Sequence, residues 1–258
     1  MAAGDQHSVT LQGIELPYVR KGSGRTLVML HGGGGPVAAM PFADLLAERF
    51  DVVAPIHPGF AGTEIPEHFD NIHDLKFLYL DFMDALGIRD AVLMGFSMGG
   101  WAAAEIAVMT TERLSKLILV DAVGIKPGDR ERRDIPDVFA TPPPELVKLT
   151  WHDPAKAPDL GALDDAGLAM VAANRVALAL YTWDPYMHNP KLPGLLHRVR
   201  IPTLLIWGAS DRLVTPAYGE AYLRLLPDAR LVVIPEAGHA PQAEQPRAFV
   251  EHVRAFAA

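Results

Sequence analysis

The sequence predicts an α/β fold: a doubly wound, mostly parallel sheet flanked by helices, with one helical insertion. Three observations predict it. Eight short runs read as strands, and most are unbroken stretches of Val, Leu and Ile, not alternating apolar and polar residues. Continuous apolarity means that both faces of the sheet are covered, as helices on either side would cover them. Helical patterns alternate with these runs, which is the rhythm of parallel strands joined by crossovers. One long interval, finally, carries no strand pattern and exceeds any simple crossover loop.

Taken in order, Val9–Leu11 and Ile14–Arg20 read as an opening strand pair joined by a Gly-containing turn. Leu27–Leu30 is the next strand, followed by a helix over Pro41–Phe50 and a strand over Val52–Ala54. A helix over His73–Leu86 leads to the strand Ala91–Met94, the helix Trp101–Met109 and the strand Leu117–Val120. The pattern resumes with strand Thr203–Trp207, helix Ala217–Leu226, strand Leu231–Ile234 and helix Glu244–Ala257. Between these two halves lie "TPPPEL", "DPAKAPD" and "DPYMHNPKLPG", with a helical stretch over Asp165–Leu180. The expected organisation is therefore a core of residues 1–121 and 201–258, with a helical cap insertion over 122–200. Ligands of open α/β sheets bind outside the carboxyl ends of the strands. An insertion leaving from such an end would cover the site; the other reading is packing alone.

Hydrophobic residues make up 50% of the 258 and charged ones 21%, enough apolar content for a substantial core. The net charge of -8 argues against a nucleic-acid partner, which would need a basic face. No cysteine is present, which removes disulfides, thiolate metal sites and cysteine nucleophiles together. The start, "MAAGDQHSVT", lacks the pattern of an export signal. "WAAAEIAVM", the nearest approach to a membrane span, is interrupted by Glu105. The expectation is a soluble, cytoplasmic protein whose oligomeric state the sequence leaves open.

The chemistry concentrates at strand ends. In "AVLMGFSMGG", Ser97 stands between Gly95 and Gly99, straight after a strand and before a helix. A strand turning into a helix through one residue strains that residue and crowds its neighbours, so glycines there have a steric purpose. The plainer alternative is a serine that merely caps the helix. "LHGGGGP" places Gly32 to Gly35 after Leu27–Leu30. Such a run brings backbone N–H groups close to a ligand. A phosphate loop is excluded because no Gly-Lys-Ser/Thr follows, and donation to an oxyanion is the better use. "WGASDRLVTP" carries Asp211 just past a strand, and "PEAGHAPQAEQP" carries His239 past the last one. "PIHPGFAGTE" could frame the site, with no role assigned to His57.

With these motifs in this order, the chain resembles the serine-nucleophile branch of the α/β-hydrolase superfamily. That family orders its triad Ser, Asp or Glu, His, with the serine in a G-x-S-x-G elbow. The resemblance implies Ser97 as nucleophile, His239 as base and Asp211 as the acid that orients it. It implies an oxyanion hole from the backbone N–H of Met98 and of Gly33, with Gly34 as the other register. Asp121, ending Leu117–Val120, is the rival acid, because a minority of the superfamily places its acid there. His31 is expected to shape the glycine loop. No metal or organic cofactor is expected, and the expected partner is a small ester or related acyl substrate. Carboxylic-ester hydrolysis is the simplest activity. Carbon–carbon hydrolases of ring-cleavage pathways often read G-N-S-M-G-G with tryptophan after the histidine; Phe96 and Ala240 stand there instead. A non-catalytic ligand receptor on the same scaffold is a further alternative. Trp151, Tyr181, Trp183 and Tyr186 would either line an acyl pocket or form the insertion's own core.

Overall fold

The computed structural model describes residues 5–36, 40–129 and 131–258. Eight strands form a single sheet: β1 (Gln6–Leu11), β2 (Ile14–Gly22), β3 (Arg25–Leu30), β4 (Phe50–Pro55), β5 (Ala91–Phe96), β6 (Leu114–Val120), β7 (Thr203–Gly208) and β8 (Ala229–Ile234), in the order β1-β2-β4-β3-β5-β6-β7-β8. β1 pairs with β2, and β2 with β4, in antiparallel fashion; every other pairing is parallel. Each predicted strand is present, and each is extended by a residue or more at one end or both.

The continuous apolarity of the strands has the cause expected of it. Leu93, Leu117, Leu119, Leu205 and Trp207 point into one core layer. Their neighbours Val92, Met94, Ile118, Val120, Leu204 and Ile206 point into the other. The first layer is closed by α2 (Ile72–Ala85), α3 (Met98–Met109) and α6 (Pro216–Leu225), and the second by α1 (Pro41–Ala47) and α8 (Pro246–Ala257). α3 is buried from Met98 through Val108 because it lies in the middle of that first layer. This is why its sequence is apolar nearly all round.

Two predicted helices differ. α1 ends at Ala47, and Phe50 is already the first residue of β4, paired with Arg25. The expected single helix Glu244–Ala257 is two, α7 (Pro241–Glu244) and α8. Proline disfavours helical geometry in the residue before it and has no N–H to continue the ladder. Gln245, at φ −131 and ψ 58, is accordingly the joint where α8 starts anew on Pro246.

Between β6 and β7 the described residues hold α4 (Pro143–Thr150), α5 (Asp165–Thr182) and short 3₁₀ turns, but no strand of the sheet. The chain leaves and re-enters this region where Gly124 pairs with His188. Among the described residues, no helix is long and apolar enough to cross a membrane.

Candidate active site

Parallel strands β3, β5, β6, β7 and β8 place their carboxyl ends along one edge of the sheet. The glycine loop follows β3, Ser97 follows β5, Asp121 follows β6, Asp211 lies three residues past β7 and His239 follows β8.

Ser97 has φ 50 and ψ −114, a conformation that side-chain-bearing residues rarely adopt. A Cβ on Gly95 would lie 2.2 Å from the Gly99 carbonyl oxygen, and one on Gly99 would lie 2.2 Å from that of Leu30. Both glycines are therefore obligatory for the turn. Ser97 makes no capping bond to α3, although it occupies the N-cap position, which removes the plainer reading of this serine. Its backbone is held instead: the N–H donates to the Val120 carbonyl (2.9 Å), and the carbonyl accepts from Trp101 (3.1 Å) and Val123 (3.3 Å). The side chain is partly exposed amid buried neighbours. Met98 opens α3, so its N–H has no carbonyl one turn back to bond.

His239 Nδ1 lies 2.6 Å from Asp211 Oδ2. Asp211 is buried, and its other oxygen accepts from the N–H groups of Leu213 and Val214, both at 2.9 Å. An ionised Asp211 can only accept, so Nδ1 carries the proton and Nε2 is left as a lone-pair base. Asp121 is not on the imidazole. Its Oδ1 accepts from Gly208 N–H (3.0 Å), while its Oδ2 is buried without a partner. Burial, and then the neighbouring Asp211 charge, push the Asp121 carboxyl well above the usual carboxylate range.

The glycine loop passes against Ser97. A Cβ on Gly32 would sit 3.1 Å from the Ser97 Cβ, and Gly35 N–H closes a turn onto the Gly32 carbonyl (3.1 Å). Buried histidines hold the loop. His57 N–H donates to His31 Nε2 (3.0 Å), which leaves His31 Nδ1 to donate to the Gly32 carbonyl (2.8 Å). His57 Nε2 donates in turn to the His31 carbonyl (2.7 Å), and its Nδ1 meets the Tyr79 hydroxyl. The bond to His31 Nε2 requires a neutral His31 imidazole. Burial lowers His31 to about 4 and His57 well below its ordinary value.

Two further contributions have little signal in the sequence. α5 lies over the glycine loop: a Cβ on Gly33 would meet Leu178 at 2.7 Å, while one on Gly34 would meet nothing within 4 Å. Asn174 accepts from Ala61 N–H (2.9 Å), and Tyr181 donates to the Pro58 carbonyl (3.1 Å), so α5 is also tied to the loop after β4. The end of α4 is bound to the histidine loop. His239 N–H donates to the Thr150 carbonyl (2.6 Å), and the buried Glu244 carboxylate accepts from Gly238 (2.6 Å), His152 (3.1 Å) and Asp153 (3.0 Å). The insertion's aromatic residues mostly serve its own packing. Trp183 and Tyr186 stack edge-on with each other and with Phe139, and Tyr186 bonds Pro136 and Val138.

Residues 27–252 match the family model described as "Alpha/beta hydrolase family". The chain is 29% identical over 260 residues to the dihydrolipoyllysine-residue acetyltransferase component of the acetoin cleaving system of Cupriavidus necator, covering 96% of this chain and 68% of that one. It is also 29% identical to the 2-hydroxy-6-oxo-6-phenylhexa-2,4-dienoate hydrolase of Burkholderia cepacia, covering 88% of this chain and 86% of the relative. Among solved structures it is similar to a bacterial membrane phospholipase A, a virulence factor, with a TM-score of 0.83 and 28% identity over 98% of this chain and 85% of that one.

Proposed function

Because this chain belongs to the alpha/beta hydrolase family, we propose that it is a serine hydrolase that cleaves carboxylic esters through an acyl-enzyme on Ser97. One observation carries the reading: His239 Nδ1 is committed to the buried Asp211 at 2.6 Å, which leaves Nε2 as a base at the same carboxyl edge of the sheet as a strained, uncapped serine. A serine hydroxyl is a poor nucleophile until a base takes its proton. In the proposed reaction Nε2 accepts the Ser97 proton as Oγ bonds the ester carbonyl carbon, and the carbonyl electron pair moves to oxygen. Asp211 stabilises the imidazolium. The N–H groups of Met98 and Gly33, or Gly34 in the other register, hold the oxyanion. The imidazolium then gives its proton to the departing alkoxide as the carbonyl re-forms. A water, deprotonated by Nε2, releases the acid by the same steps in reverse roles.

The insertion acts as a cap in this scheme, since Leu178 stands over the glycine loop next to the proposed oxyanion donors. That contact supports an apolar wall on the cap side of the proposed acyl site. Carbon–carbon bond hydrolysis of a vinylogous diketone acid is the second reading, supported by the likeness to the Burkholderia cepacia hydrolase.

The test is turnover of short-chain nitrophenyl esters by the native enzyme and by Ser97→Ala. The variant is expected to lose on the order of a millionfold in turnover while keeping its fold. A serine-directed phosphonate should add its mass at Ser97 alone. A clean Ser97→Ala preparation that keeps a tenth of the activity would overturn the assignment. Binding of esters without turnover would point to a receptor, and turnover of diketone acids but not esters would select the second reading.

A further inference from the structure

We propose that Asp121 is a positioning residue of this site: its carboxyl keeps its proton on Oδ2 and donates it to the Asp211 carboxylate, supporting from behind the acid that orients His239. This rests on the triad reading above, but it concerns a residue that reading does not use.

The geometry requires some partner for Oδ2. Asp121 is 1% exposed, and its Oδ1 is already an acceptor for Gly208 N–H. Oδ2 is buried and unpartnered if the group is an anion. An orphaned, buried, charged oxygen is among the most costly polar arrangements a protein can hold. Oxygens of Asp121 and Asp211 and a ring nitrogen of His239 all lie within 4.8 Å of one another. Among the described residues, these two are the titratable groups that face Asp121, one from the loop after β7 and one from the loop after β8. Among the described residues, no lysine or arginine is paired with either acid. Two anions side by side without a cation cannot both be retained, and a proton on the more deeply enclosed one resolves the conflict. Asp211 is the one bonded to His239 and to two backbone N–H groups, so the proton belongs on Asp121. The direction in which burial and Asp211 push the Asp121 carboxyl agrees.

A metal ion is the other species that could join two carboxylates and an imidazole. The spacing opposes it. Ligand atoms about 2.0–2.1 Å from a tetrahedral ion stand roughly 3.3 Å apart, whereas Nδ1 and Oδ2 are 2.6 Å apart, the length of a charge-assisted hydrogen bond. The backbone is committed as well. Asp121 has φ 43, a left-handed conformation that aims its side chain from the end of β6 toward β7. Strain of that kind persists only where the surroundings over-determine it.

A hydrogen bond donated to Asp211 draws charge off it and so moderates its hold on the imidazolium. Two substitutions separate the possibilities, read on the imidazole itself by NMR titration of His239 without substrate. Asp121→Asn keeps a neutral donor of the same shape, so the His239 midpoint stays within about 0.3 unit of the native one. Asp121→Leu has no donor, so Asp211 becomes more basic and the midpoint rises by about half a unit or more. If Asp121 were an anion, both variants would remove negative charge and lower the midpoint, which would overturn the proposal. Should Asp121→Leu fail to fold, the Asn variant still decides between no change and a fall. The infrared carbonyl stretch of a protonated carboxyl should be present in the native protein and absent from Asp121→Asn; a native spectrum without it would also overturn the proposal. Neither measurement needs turnover, so a chain that cleaves no ester would refute the proposed activity and leave this inference standing or falling by itself.

Discussion

Ser97, the proposed nucleophile, is held at the cost of about 1–3 kcal/mol of backbone strain, and the neighbours that permit it are identifiable one by one. Gly95 and Gly99 have carbonyls where a Cβ would be, so either one replaced by alanine forces the elbow apart. At Asp211, replacement by asparagine keeps the shape but removes the charge that stabilises protonated His239. We expect a fall on the order of 10⁴-fold in ester turnover, read as kcat, and a fall below tenfold would move the acid's role elsewhere. Met98 separates backbone from side chain. Its N–H is assigned to the oxyanion, but its side chain is fully buried in the core layer that α3 shares with β5 and β6. Met98→Ala should thus lower stability by about 2–5 kcal/mol through the cavity it leaves, with less than tenfold lost in turnover. Loss of turnover without loss of stability in denaturant melts would place the thioether in the acyl pocket.

At the scale of elements, α4 and α5 bind to the site in different ways. α4 is hydrogen-bonded to the loops that carry Asp211 and His239: Arg212 N–H donates to the Leu149 carbonyl (3.0 Å), and His239 N–H to that of Thr150. α5 meets the glycine loop by packing, with Leu178 against Gly33. Gly33→Ala should therefore push α5 outward and cost about 1–3 kcal/mol as an overpacked contact. Leu178→Ala in the same chain should recover most of that loss, because it removes the colliding methyls. The measurement is a double-mutant cycle on thermal midpoints. Purely additive effects would mean that α5 does not bear on Gly33 in solution. The sequence carried the alternation of strand and helix well, and it carried the motifs at strand ends. It held no comparable signal for Leu178 or Glu244, whose partners lie 145 residues away in Gly33 and 92 residues away in His152.

For the whole molecule, three buried groups among the described residues, His31, His57 and Asp121, make stability depend on pH in the acidic-to-neutral range. His31 and His57 are neutral in the folded chain and, by burial, take up a proton only well below their ordinary value, His31 at about 4. The unfolded chain binds those two protons from about pH 6.5 downward. Asp121 acts oppositely, since the folded chain keeps a proton that the unfolded chain releases above about pH 4. Between about pH 4.5 and 6.5 the unfolded state thus holds one more proton in net, and stability should rise with pH by about 1.4 kcal/mol per unit from these groups. Above about pH 6.5, of these three, Asp121 alone remains unequal, and their contribution to stability should turn and fall. Urea midpoints across this range test the sign on each side. In Asp121→Asn the fall above the maximum should vanish, and a fall that persists there would assign it to another group.

The sequence by itself determined the layer plan and the motifs at its edge. Uninterrupted Val, Leu and Ile in short runs demanded cover on both faces, and the two core layers supply it. Of the glycines flanking Ser97, Gly95 carried a local steric message, because the atoms a Cβ would strike there lie within five residues of it, whereas a Cβ on Gly99 would strike Leu30 and His31. Tertiary structure alone decided which carboxylate meets His239. Asp121 and Asp211 both end strands, and strand-end position says nothing of reach; the hydrogen bond to Nδ1 depends on how the loops after β7 and β8 close against each other. The same holds for the fate of the insertion's aromatic residues and for the seat of Leu178 over Gly33. Contacts between residues far apart in the chain follow from packing of whole elements, and no periodicity or motif within a single segment encodes them.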